Sequence, residues 1–180
     1  LENPKYYIRI SDPVYPDNAA RINMILQRIF RKGFINHRQL EYLKADPNAR
    51  PRIFYLLPKI HKPREKWPNP RMPEGRPIVS DCQSESYRVS EYLDYHINPL
   101  STSHSSYIKD TYHFVNKIRN TVVPSNCYLV TGDVTALYTN MDITRTIEVL
   151  RKQLAANPRS NRPDEELLEL LEITLRGNDF

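Results

Sequence analysis

Apolar residues recur at helical spacing from Asp17 to Arg31, where Ile22, Ile25, Leu26, Ile29 and Phe30 fall on one face. Asp17 is placed to cap that helix, and Gly33 stands where a left-handed residue would end it. A shorter helix is predicted over Asn36–Lys44, with Leu40 and Leu43 inward, before Pro47 and Pro51 turn the chain extended. Ile53–Leu57 and Pro77–Ser80 read as two antiparallel strands. Ser84 can cap a helix reaching about His96, with Tyr87, Leu93 and Ile97 on its apolar stripe and Pro99 beyond its end. Another helix is predicted from about Tyr107 to Arg119, carrying Ile108, Phe114, Val115 and Ile118. The apolar, β-prone run Cys127–Thr131 reads as a buried strand that delivers Asp133 to its C-terminal edge. Asp142 or Thr144 starts a helix to about Ala155. Asn161-Arg162-Pro163 opens the last one, with Asp164, Glu165 and Glu166 matched to the positive end of the helix dipole and Gly177 at its stop.

The chain of 180 residues is long enough for one domain with a core. Its mean hydropathy of −0.63 and the absence of a long apolar run indicate no membrane span. Two cysteines, Cys82 and Cys127, make no disulfide framework, so reduced thiols and an intracellular setting are expected. The five histidines lack the spacing of a zinc site, and four glycines argue against a P-loop or dinucleotide-binding enzyme. Charge is uneven. Residues 1–76 hold 16 Lys and Arg against 7 Asp and Glu, whereas residues 77–180 hold 10 against 14. A basic first half suggests a polyanionic partner, although ordinary solvated charge would give a similar count.

The basic character is concentrated between the two strands. Residues 51–77 contain seven of the fifteen prolines together with Arg52, Lys59, Lys62, Arg64, Lys66, Arg71 and Arg76. A loop of this length in a compact domain is usually functional or disordered. Trp67 within it reads either as a stacking platform for a base or, more commonly, as a residue packed on the domain surface. Arg76 reads, from its neighbours alone, as an ion-pair partner of Glu74 or Asp81. Asp133 reads as a ligand for a hard cation such as Mg²⁺ or as the cap of a turn or helix.

"FYLLPKIHKP" (54–63), "GRPIVS" (75–80) and "GDVTALYTN" (132–140), in this order, resemble the first two fingers motifs and motif A of reverse transcriptases from Penelope-like retroelements, relatives of telomerase. The resemblance extends from about Asp46 to Leu150. It implies an α+β, helix-rich fold with a small antiparallel sheet: an N-terminal helical part (1–50), fingers (51–125) and a partial palm (126–180). It further implies that Lys59 and Arg76 grip the triphosphate of an incoming deoxynucleotide, and that Tyr138 excludes a 2′-hydroxyl. Asp133 and the carbonyl of Val134 would be metal ligands, with Arg52, Lys62, Arg64 and Lys66 contacting nucleic acid. The partners implied are an RNA template, a DNA primer and dNTP, in a nuclear setting.

Two-metal phosphoryl transfer needs further carboxylates. The family carries them as paired aspartates after an aromatic, and no Asp-Asp pair occurs in this sequence. Motif B, motif C and the thumb are likewise not found in it. The Mg²⁺ site is therefore expected to be incomplete, and the chain alone is expected not to polymerise. An unfinished palm would expose a strand edge and favour self-association. Two further readings remain beside the polymerase: a non-catalytic nucleic-acid-binding module, and a protein-interaction domain.

Overall fold

The computed structural model describes residues 8–135 and 137–179. They form two compact units, Leu1–Leu93 with Arg159–Phe180 and Asp94–Pro158. The fold is α+β, rich in helix, with a two-stranded antiparallel sheet. The resemblance divides the chain elsewhere, at residues 50 and 125.

In the first unit, helix α1 spans Tyr15–Arg31. It begins two residues earlier than the pattern suggested: Pro16 occupies its first turn, and Asp17 lies inside that turn instead of capping it. It ends as expected at Gly33, whose φ of 79° is left-handed. Gly33 N–H donates to the Phe30 carbonyl at 2.9 Å and Phe34 N–H to the Ile29 carbonyl at 3.1 Å, the paired bonds of a Schellman stop. Helix α2, His37–Leu43, opens with a reciprocal cap. Asn36 accepts from Gln39 N–H, and the Gln39 side chain accepts from Asn36 N–H.

Helix α7, Asp164–Arg176, packs against α1, as does α2. Ile22, Leu26 and Ile29 of α1, Leu40 and Leu43 of α2, and Leu167, Leu170 and Ile173 of α7 are all buried. Each such side chain contributes roughly 1.5–3 kcal/mol when withdrawn from water. Lys32–Glu166 and Arg28–Glu169, both 2.5 Å, join basic α1 to acidic α7 at the margin.

Strands β1, Ile53–Pro58, and β2, Gly75–Ser80, pair from Ile53↔Ser80 to Pro58↔Gly75. Helix α3, Tyr87–Thr102, runs further than expected and contains Pro99. Hydroxyls of Ser101, Thr102 and Ser103 donate back to the carbonyls of Asn98, Pro99 and Leu100, which carries the last turn past the proline.

The second unit holds helices α4, Thr111–Ile118, α5, Leu137–Asn140, and α6, Ile143–Ala156. Asp110 and Asp142 cap α4 and α6 by accepting from His113 N–H and Arg145 N–H. Here the strand expected at Cys127–Thr131 is absent. Tyr128, Leu129 and Val130 are 94%, 96% and 88% exposed and lie in no sheet. Strand propensity expresses fit to a neighbouring strand, and no described strand of this unit is there to pair with. Leu154 is the one buried residue of the unit among those described.

Candidate nucleic-acid interface

The ribbon of β1 and β2 positions the cations that the sequence singled out. Alternate residues of a strand share a face, so Leu57 lies with its cross-strand partner Arg76. One step past the strand ends, Lys59 N–H donates to the Glu74 carbonyl at 2.9 Å, which extends the register. Lys59 and Glu74 thereby join Leu57 and Arg76 on one face. Lys59 Nζ meets Glu74 Oε2 at 2.8 Å. This hydrogen bond and the charge of Lys59 hold the Glu74 carboxyl below its ordinary range, with Lys62 adding to the effect. Among the described residues Arg76 makes no ion pair, and its side chain is exposed. The alternative in which Glu74 or Asp81 occupies Arg76 is thus filled by other cations: Glu74 takes Lys59, and Asp81 takes Arg52.

Between the strands the chain is ordered by short-range bonds. Arg64–Lys66 forms a 3₁₀ turn, and Asn69 and Met72 form a β-bridge. Trp67 Nε1–H donates to the Lys62 carbonyl at 2.8 Å, and the Arg64 guanidinium lies 5.6 Å from the indole centroid. The half-buried Trp67 therefore pins the loop on which it sits. Lys62, Arg64, Lys66 and Arg71 are exposed around it, and none of them forms an ion pair among the described residues. Prolines 63, 68, 70 and 73 restrict the backbone between these cations.

Arg52 is placed differently from the expectation that it contacts nucleic acid. Its side chain is only 2% exposed. Nε donates to Asp81 at 2.8 Å, Nη2 to Glu85 at 3.0 Å and to Ser86 Oγ at 2.9 Å, and Nη1 to Asp179 at 3.3 Å. Burial opposes its charge, but Glu85 and Asp81 outweigh burial and hold the guanidinium protonated. Asn18 completes the cluster: Nδ2 donates to Glu85 Oε1 at 2.9 Å and to the Gly177 carbonyl at 2.8 Å. A Cβ on Gly177 would come within 2.6 Å of the Asn18 amide, so any larger residue there would force Asn18 to shift out of these bonds. With its donors spent inside the unit, Arg52 is a structural clasp.

Asp133 and Tyr138 belong to the second unit. Asp133 is exposed, and its Oδ1 accepts from Val134 N–H at 2.9 Å, an arrangement that stabilises its own turn. Tyr138 is exposed on α5. Among the described residues no group of three or more His, Cys, Asp or Glu side chains is gathered where it could hold a metal ion. One carboxylate already accepting from its neighbour does not fit a Mg²⁺ pair, which needs several oxygen ligands. Cys82 and Cys127 are free and exposed. No described helix is long and apolar enough to cross a membrane. A scan against protein-family models, a search of curated proteins and a search of solved structures each gave no match.

Proposed function

We propose that this chain carries the fingers and first palm motif of a Penelope-like reverse transcriptase and binds template-primer and dNTP through phosphate contacts. The observation that carries the reading is the β1–β2 ribbon: Lys59 and Arg76 share one face, and the loop beyond them presents Lys62, Arg64, Lys66 and Arg71. A guanidinium fork pairs with two phosphate oxygens, whereas an ammonium acts as a compact point charge. In the parent reaction, RNA-templated DNA synthesis with Mg²⁺, Asp133 and the Val134 carbonyl would be metal ligands and Tyr138 would exclude the 2′-hydroxyl. The residues in hand make an incomplete metal site, so the role proposed for this chain is binding. Primer extension by the purified chain is expected to give no product; Asp133-dependent synthesis would overturn that. Binding to single-stranded RNA is expected to weaken steeply with salt. Alanine at Lys62, Arg64 or Lys66 should lower the log–log slope by about 0.7 each. Salt-independent affinity would sink the proposal.

A second reading, a self-associating interaction domain, is favoured by the exposed run Tyr128–Val130. It predicts a concentration-dependent mass in light scattering without affinity for RNA.

A further inference from the structure

Glu74 sits where an anion-binding site should least tolerate it. It is directly across the ribbon from Lys59 and two residues before Arg76 on the same face. Residues diagonal across an antiparallel pair are roughly 7–8 Å apart, so one extended polyanion can span Lys59 and Arg76. The Glu74 carboxylate reaches Lys59 at 2.8 Å and leaves Arg76 uncovered. The site therefore has one occupied cation and one open cation.

We infer that Glu74 is a built-in competitor, which holds Lys59 until a polyphosphate landing first on Arg76 displaces it. This rests on the proposal above that Lys59 and Arg76 receive phosphate, and it adds a residue that sets how readily they do so. Three observations favour displacement over a permanent pair. The Glu74 side chain is 64% exposed, so its release into water costs little desolvation. The pair is open to water on its carboxylate side, with Lys59 25% exposed, and such a partly exposed pair is weak, whereas a phosphate chain carries several charges and acceptor oxygens. The backbone bond from Lys59 N–H to the Glu74 carbonyl fixes both residues independently of the side-chain pair, so the ribbon survives when the pair opens. The Arg52–Glu85 pair provides the contrast: both side chains are enclosed, and Glu85 cannot be exchanged for a ligand without opening the unit.

Binding of inorganic tripolyphosphate, followed by calorimetry at low salt, tests this. Glu74→Gln is expected to tighten binding roughly two- to fivefold, the scale of one exposed pair. The gain should vanish in the Lys59→Ala background, where the double variant binds like Lys59→Ala alone. Glu65→Gln, which removes a loop carboxylate without an ion pair among the described residues, should give no comparable gain. Affinity unchanged by Glu74→Gln, or an equal gain with Lys59 removed or from Glu65→Gln, would overturn the inference. A parallel titration with single-stranded RNA separates the two levels. If RNA binds in a salt-dependent manner while Glu74→Gln has no effect, only the competitor role fails. If neither RNA nor tripolyphosphate binds, the anion-site reading fails and the inference goes with it.

Discussion

Arg52 shows how much one side chain can settle at the residue scale. Its partners Asp81, Glu85 and Asp179 lie 29, 33 and 127 residues away in sequence, a separation that no local pattern displays. The resemblance implies that it contacts nucleic acid; three-dimensional closure makes it a core residue. Replacing Arg52 by Met is expected to cost about 3–5 kcal/mol in urea unfolding, because Glu85 would remain buried without its cation. Adding Glu85→Gln should recover part of that loss. Tyr92 provides a pH signature in the same unit. Burial, with the charge of Glu166 second, pushes its phenol up to about 12, against roughly 10 in an unfolded chain. The folded state thus holds this proton more tightly. The associated stability is complete below pH ~10 and is lost as pH rises through about 12. Tyr92→Phe should flatten that part of the stability–pH curve relative to wild type.

At the scale of elements, the parts that were legible were those with local chemical punctuation. Gly33, the helix start at Asn36 and Asp142 appear where the sequence put them, since caps depend on residues a few positions apart, and the β1–β2 pair appears as its two apolar runs suggest. Gly33→Ala is expected to lower stability by about 1 kcal/mol, because φ of 79° penalises a side chain; thermal unfolding would measure it. The strand expected at Cys127–Thr131 failed for the opposite reason. A strand needs a partner, and β-propensity says nothing about whether one exists. Of the candidate site, the loop cations were legible, but the pairing that occupies Lys59 was not, because it depends on register. The exposed stretch between α4 and α6 buries little apolar surface. Its amides are expected to exchange with deuterium faster than those of α1 and α7, as mass spectrometry would resolve.

Across the whole molecule, the exposed run Tyr128–Val130 belongs to the second unit and the loop cations Lys62, Arg64, Lys66 and Arg71 to the first, so the two can be tested separately. Leu129→Asp should reduce any concentration-dependent mass in light scattering while leaving RNA affinity unchanged. The first unit is discontinuous, with residues 94–158 inserted between its two segments. The Asp179 carboxylate also accepts from Val14 N–H at 2.8 Å, so the same residue that reaches Arg52 fastens the start of α1. On the ribosome Arg52 is made 127 residues before Asp179. At roughly 5–20 residues per second, that is a wait of about 6–25 s. During this interval α1 lacks the apolar face of α7 and the clasp lacks one of its acids. The nascent chain must carry its basic half open and uncovered through that window, when a polyanion or a chaperone could reach surfaces that the finished fold encloses.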